Sequence, residues 1–345
     1  MVDSMSSQSM ADGPAEWRGA RTAEPNSTWG VLSGLLTDYS TVVVLVALFL
    51  FFGLTSTYFW SGANFLNILR QMSVVGVLAI GMTMVVLIEG IDLSVGSVVL
   101  LSGAISGTLV YNYHVNAWLA ILAGLLASAL VGLLNGFMIE RVQISPVIVT
   151  LGTMIAVRGL GQAILWVNNS WVWVTDDLFV FVAKENMLFV PVIAAIMLVL
   201  YLIAVVTLKQ TTFGRAIYAI GGNQRAARLT GLPVARIKVL VYVLAGLCSG
   251  IAGLLAAART GVVGPNVGLG MEFDAITAVV LGGTRLSGGV GRVERSLLGT
   301  AMLVMVLNYL TIRGIPDIWQ TAVTGFLILG AILIDRLARQ GRAMA

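Results

Sequence analysis

Ten apolar blocks separated by short polar hinges leave this chain very few ways to fold. They fall at about 39–59, 72–88, 94–113, 117–138, 146–166, 187–207, 238–258, 274–284, 296–313 and 318–335. Most approach the ~20 residues that a helix needs to cross a hydrocarbon core. Only 10% of residues are charged, against 58% hydrophobic. A soluble domain uses about 25% charged residues to cover its surface. Within lipid, backbone polar groups must be satisfied inside the chain, and no period-2 alternation suggests a barrel. The expected fold is all-α, a polytopic transmembrane helical bundle of about ten spans. Block 274–284 is short for a full crossing. Block 146–166 carries Pro146, Gly152, Gly159 and Gly161 beside Arg158. A short or broken helix is therefore expected among the spans.

Residues 1–36 are polar and lack the basic start and cleavage site of a secretory signal. They are expected to be a disordered cytoplasmic tail. Residues 37–337 form the membrane domain, and 338–345 a cytoplasmic C-terminal tail. With the N-terminus inside and ten alternating spans, fifteen of the 20 Lys and Arg residues fall on the inner side. The outer side holds Arg70, Lys184, Arg259 and Arg313, and Arg158 lies within a span. This asymmetry predicts that both termini are cytoplasmic. It also accounts for the net charge of +4 as orientation charge, not nucleic-acid binding. Cys248 and His114 are each the only residue of their type, which argues against thiolate or histidine metal sites and triad chemistry. Neither a metal site nor a catalytic residue is expected.

Gly103/Gly107, Gly132/Gly136 and Gly246/Gly250 form G-x-x-x-G pairs that allow close helix approach. Packing within one bundle is favoured over dimer contacts. Two stretches echo each other: Gly90-Ile-Asp-Leu-Ser-Val-Gly96 and Gly283-Thr-Arg-Leu-Ser-Gly-Gly289. If the repeat is real, Asp92, Ser94 and Gly96 are equivalent to the turn holding Gly283, Ser287 and Gly289.

The chain has three lysines, none after a glycine, so it lacks a G-x-x-x-x-G-K-[ST] phosphate loop. Acidic residues lie near the predicted span ends, which gives no evident ion-coupling relay. Polarity inside the spans comes from Thr83, Thr153, Thr277, Asn308 and Gln320, groups suited to hydrogen-bonding an uncharged solute along a translocation path. Arg158 reads either as a gate on that path or as a buried structural arginine satisfied by backbone carbonyls. A chain of this kind must draw energy from a partner. The basic segment 208–237 is where one would bind. Asn223 can cap a helix over Gln224–Thr230, Gly231 can end it, and Arg225 and Arg228 share a face at i, i+3. The segment reads either as a solvated basic loop on anionic lipid or as a docking helix for a motor subunit.

Within that segment, Phe213-Gly-Arg-Ala-Ile-Tyr-Ala-Ile-Gly-Gly-Asn-Gln-Arg-Ala-Ala-Arg-Leu-Thr-Gly-Leu232 closely resembles the cytoplasmic loop of ribose/xylose/galactose-type ABC permeases. Glu89-Gly-Ile-Asp-Leu-Ser-Val-Gly-Ser97 is similar to that family's G-x-D-L-S-V-G-S turn. Ser145-Pro-Val-Ile-Val-Thr-Leu-Gly-Thr-Met154 with Arg158-Gly-Leu, and Asp274-Ala-Ile-Thr-Ala-Val-Val-Leu-Gly-Gly-Thr284 with Gly288-Gly-Val-Gly-Arg292, resemble two further elements. The resemblance runs from about 40 to 336. It implies the permease subunit of a bacterial importer in the cytoplasmic (inner) membrane, passing a monosaccharide from periplasm to cytoplasm. It also implies three partners: a second permease chain, a cytoplasmic ABC ATPase that is often tandem-domain, and a periplasmic sugar-binding protein. ATP and Mg would be held by that ATPase, with no cofactor on this chain. Carried over, Gly221, Gly222, Asn223, Arg225, Arg228, Leu229 and Gly231 would lie in the ATPase-coupling element. Glu89 stands where the family usually has glycine, and Val293-Glu294 replaces small apolar residues. The alternatives are a branched-chain amino-acid permease of the same wider family and an autonomous secondary transporter.

Overall fold

The computed structural model describes residues 28–167, 169–187 and 189–343. Each of the ten apolar blocks contains or forms a helix. In chain order the elements are α1 (Thr28–Thr55), α2 (Gly62–Leu87), α3 (Val95–Tyr113), α4 (Ala117–Glu140) and α5 (Pro146–Trp166). After α5 come strand β1 (Val172–Trp173), α6 (Asp177–Lys184), and strands β2 (Asn186–Met187) and β3 (Val190–Pro191). Next are α7 (Val192–Gln210), α8 (Thr212–Gly222), α9 (Gln224–Leu229), α10 (Val234–Thr260) and strand β4 (Val262–Val263). The chain ends in α11 (Met271–Leu281), α12 (Val293–Ile312) and α13 (Asp317–Ala343).

Seven of these helices, α2, α3, α4, α5, α7, α10 and α12, are long and apolar enough to cross a membrane. Together with α1, α11 and α13 they make a polytopic helical membrane protein. The helix α1 starts at Thr28, inside the segment expected to be tail. The expectation for residues 1–27 lies outside the described residues. Likewise α13 runs on to Ala343, past the expected boundary at 337.

The short helix falls where expected. With 11 residues at 1.5 Å each, α11 covers about 16 Å, roughly half of the hydrocarbon core. The second suspected break is absent: α5 is one continuous helix. Its Pro146 sits at the first helical position, where a missing N–H costs nothing. Its Gly152 and Gly159 have no neighbour that would force a bend.

The centre of the bundle is α2. From Met72 to Ile88 every residue is buried, because α7, α10, α11 and α12 surround it. A helix apolar all round belongs in such a position. Outward faces are bare leucine and phenylalanine instead, as on α4, where Leu122, Leu126, Leu130 and Phe137 are all exposed.

Helices in lipid gain little from hiding apolar surface, so close contact and interhelical hydrogen bonds hold them together. The glycine pairs do this within one chain, as expected. A Cβ on Gly132 would strike the Tyr242 carbonyl, and one on Gly136 would lie 2.8 Å from Val239 Cα. From the other side, a Cβ on Gly246 would strike the Ser128 carbonyl. Thus α4 and α10 meet backbone to backbone. Gly107 gives room to Val172 and Val174 beside β1, and β1 pairs antiparallel with β4 (Val172 opposite Val263).

These contacts predict a contrast between glycines. Replacing Gly246 with Ala should lower the unfolding midpoint of the detergent-purified protein, with an overpacking cost of about 1–3 kcal/mol. Gly159→Ala should leave the midpoint unchanged or raise it, since open space lies there. Equal shifts in a thermal melt would sink this account of α4–α10 packing.

Candidate functional site

At one end of the bundle, α8 and α9 form the only two consecutive short helices between spans among the described residues. The entry to α8 is fixed by Thr211, whose hydroxyl accepts from Gly214 N at 3.1 Å. Its far end is wedged: a Cβ on Gly221 would collide with the Leu87 carbonyl and the Gly289 amide. Gly289 N donates to Leu87 O at 2.9 Å. The end of α8, the end of α2 and the 283–291 turn therefore share one contact point. Only glycine permits it.

Two further ties hold this module. Tyr218 Oη donates to Gly291 O at 3.0 Å. Burial pushes its phenol above the ordinary tyrosine range, with Glu294 adding to the shift and Arg292 opposing it. Lys209 at the end of α7 pairs with Glu294 at the start of α12, 2.6 Å apart. Glu294, a departure from the resembled pattern, thus has a structural use.

As read from the sequence, Asn223 caps α9, accepting from Ala226 N at 2.9 Å. Gly231, at φ 83°, ends it, and Leu232 N closes back onto Ala227 O at 3.2 Å, a Schellman-type stop. Only Ala227 is buried; Arg225, Arg228 and Leu229 are exposed, Leu229 at 85%. Gly222 is exposed with open space around it. The two arginines differ in role. Arg228 Nη2 lies 3.9 Å from Glu140 Oε2, and the other oxygen of Glu140 holds Lys238 of α10 at 2.5 Å. Sequence reasoning missed Glu140. A carboxylate at the end of an apolar block followed by a basic segment was the available signal.

The second echo turn packs against the residues that lead into the first. Gly288 packs against Glu89, its Cβ position 3.1 Å from Glu89 N. Glu89 itself has φ 61°, a left-handed conformation that disfavours a side chain and suits glycine. Glycine would adopt this conformation without strain. Their local structures differ. In the first, Asp92 accepts from Ser94 N at 2.9 Å and from Ser94 Oγ at 2.6 Å. In the second, Arg285 N reaches Val290 O at 2.9 Å, closing a loop through Gly288 and Gly289, both at positive φ. Gly283 is also left-handed, at φ 81°, and Ser287 is exposed.

The six polar residues expected along a path do not converge. Thr83 is fully buried and shares a 2.7 Å hydrogen bond with Ser296 between α2 and α12. Thr277 is buried and donates back to Phe273 O. Asn308 Nδ2 donates to Asn64 Oδ1 at 3.0 Å. Thr153 Oγ1 donates to Asn135 Oδ1 at 2.7 Å, and Asn135 Nδ2 donates to Ser94 Oγ at 2.9 Å. Thr153 is therefore part of the network that holds the Asp92 turn. Gln320, half-buried on α13, bonds Thr311, Ile315 O and Asp317. Each of these five groups makes an internal bond, while Asn308 Oδ1 has no partner. Arg158 is half-buried, and one of its guanidinium nitrogens, Nη2, lacks a hydrogen-bond partner.

Sequence comparison agrees with this architecture. A family model described as "branched-chain amino acid transport system / permease component" matches residues 64–332. The ribose import permease protein RbsC of Escherichia coli K12 is 38% identical over 304 residues, 87% of this chain and 94% of that protein. Its Bacillus subtilis 168 namesake is 40% identical over 273 residues, 79% of this chain and 84% of that protein. The L-arabinose ABC transporter permease protein AraH of Azospirillum brasilense is 36% identical over 304 residues, covering 88% and 89%. No solved structure matches the chain. With a family match over most of its length and several relatives above 30% identity, this chain belongs to the branched-chain amino acid transport system / permease component family.

Proposed function

We propose that this chain is the membrane-spanning permease of an ATP-driven importer that passes a ribose- or xylose-like monosaccharide from periplasm to cytoplasm. The observation that carries the reading is the wedge at Gly221. A helix pair whose tip is exposed, and whose base is locked onto α2 and the 283–291 turn, is built to convey an external push into the bundle. The family model's description names amino acids, whereas the relatives quoted above are named for ribose and L-arabinose. Both are uncharged pentoses, which favours a neutral sugar over a zwitterionic solute.

In this reading α8 and α9 face the cytoplasm, as do both termini, in the inner membrane of a bacterium. Gly222, Asn223, Arg225, Leu229 and Gly231 present the tip to a cytoplasmic ABC ATPase, which holds ATP and Mg and performs the hydrolysis. Two copies of the permease form the pore, and a periplasmic sugar-binding protein delivers solute to the opposite end. Arg228 joins the tip to Glu140 and Lys238, so a push on α9 reaches α4 and α10. Tyr218 and Lys209 carry the same push to α12. Because the chain does no chemistry itself, only differential binding of ATP by its partner can bias the inward- and outward-facing states.

Reconstitution with the ATPase and binding protein tests the coupling. Gly221→Ala should reduce ATP-driven pentose uptake by tenfold or more. Replacing Arg225 and Arg228 together with Glu should abolish the stimulation of ATPase activity by loaded binding protein. Wild-type stimulation in that double variant would remove α9 as the docking element. Vesicles containing this chain without the ATPase should equilibrate at most, and should never accumulate sugar against a gradient.

Breaking the buried ion pair separates stability from docking. Glu140→Gln leaves Lys238 unpaired in a buried setting, where loss of a partner costs about 3–5 kcal/mol. The variant should therefore melt markedly lower in detergent, whereas Arg225→Glu, at an exposed site, should melt as wild type does.

A further inference from the structure

Between β4 and α11 the chain runs as irregular backbone alongside membrane helices. Gly103 packs near Val263, and further along, a Cβ on Gly268 would collide with the Gly96 carbonyl. Segment 264–270 thus descends along α3 from the level of Gly103 to that of Gly96. There it turns, through Gly268 and Gly270 at φ 75° and 81°, into the half-length α11. One crossing is therefore part irregular, turn-rich chain and part helix. Non-helical backbone at membrane depth persists only when buried in protein or lining water, and interrupted spans are where transporters hold solutes.

The side chains at this break are unusual for a membrane interior. Glu272, in the first turn of α11, is 5% exposed, and its Oε2 has no hydrogen-bond partner. The carboxylate sits over the start of α3 in space that only a glycine leaves: a Cβ on Gly96 would collide with Oε2. From α5, Arg158 Nη1 reaches Val267 O and Gln162 Nε2 reaches Pro265 O, both at 3.4 Å, long and easily exchanged contacts. Gln162 and Asn266 are exposed, and Arg158 is half-buried. A charge at the centre of a helix facing lipid costs at least about 2.5–3.5 kcal/mol. Nothing comparable stands on the outward face of α4, where Leu119, Leu122, Leu126, Leu130 and Phe137 are exposed. On α5 itself Leu151, Ile155 and Leu160 are exposed as well, so it is the stretch bearing Arg158 and Gln162, where it meets 264–270, that is set apart from hydrocarbon.

We infer that the face formed by α5 and segment 264–270 lines the aqueous solute path, and that Arg158 and Glu272 are its solute-contacting pair. The inference rests on the importer reading for the identity of the solute. A guanidinium and a carboxylate, each with an unsatisfied atom, suit neighbouring hydroxyls of a neutral sugar. The guanidinium donates to hydroxyl oxygens and the carboxylate accepts hydroxyl protons. The long contacts of Arg158 and Gln162 to the segment's carbonyls close the path when solute is absent and yield to it when present. Gly96 is, on this view, the seat of Glu272 as well as a turn residue.

The full importer complex in proteoliposomes provides the test, with ribose, xylose and L-arabinose as solutes. Arg158→Lys and Glu272→Gln should each lower the uptake rate tenfold or more, while ATPase stimulation by loaded binding protein stays within twofold of wild type. Wild-type uptake by both variants would overturn the pair. Loss of ATPase stimulation in parallel with uptake would assign them a structural role and equally overturn it. A measurement that needs neither solute nor these variants covers a failure to fold. In a Cys248→Ser background, Gln162→Cys should react with a charged, water-soluble thiol reagent at least tenfold faster than Leu126→Cys. Equal reactivity would overturn the path assignment. If the wild-type complex carries none of the three sugars, the proposed function falls, and the thiol measurement still decides the path.

Discussion

Direct contact between helix backbones is what the rest of this bundle depends on. Lipid chains are as apolar as leucine, so helices associate through dispersion and polar contacts that demand close approach. Glycine supplies it at the α4–α10 seam, where Gly132, Gly136, Gly246 and Gly250 face each other's turns. It supplies it again where Gly282 and Gly299 join α11 to α12. Once those seams set the helix positions, α2 is sealed in the centre and the polar pairs Thr83–Ser296 and Asn64–Asn308 can form. Each such bond contributes only about 0.6 kcal/mol in a membrane, so they tune the register that packing has already imposed.

The same device is used for a different end at Gly221. There the tight contact joins three segments far apart in sequence, the ends of α8 and α2 and the 283–291 turn. A joint without side chains has no rotamers to absorb displacement, so the ends of α8 and α2 and the 283–291 turn are held in one tight contact. Ionic ties at Lys209–Glu294 and at Arg228–Glu140–Lys238 link α7 to α12 and α9 to α4 and α10. The buried Glu140 is the costliest of these groups to leave unpaired, which suits a fixed anchor better than a flexible latch.

Polarity is distributed in two distinct ways across the membrane domain. Many hydroxyls and amides between spans, Thr83–Ser296, Thr153–Asn135 and Asn64–Asn308 among them, are paired internally and cement the bundle. Around Arg158 and Glu272, two charged groups with partnerless atoms border a stretch of irregular backbone. Irregular backbone and charge at membrane depth persist where they are buried in protein or line water, and Arg158 and Gln162 distinguish this stretch of α5 from the leucine-covered face of α4.

Much of this was legible in the sequence because it is local. Ten blocks of apolar residues mark ten helices; Asn223 and Gly231 mark the ends of α9; the short block at 274–284 marks a helix too short to cross. Each follows from length, periodicity and capping within a few residues of chain. The intact α5 was not legible, since its glycines break a helix only where the surroundings pull on it, and Gly152 and Gly159 have open space. Nor were the partners of Thr83, Thr153 and Asn308, which read as path residues but are occupied by Ser296, Asn135 and Asn64. Composition shows that a polar group lies in a span, but not whether another helix brings it a partner. That the chain is a helical membrane protein was determined by the sequence alone, because lipid admits no other use of such blocks. Which glycines become joints, and which charges are left unpaired, was decided by tertiary structure, because those contacts join residues far apart along the chain.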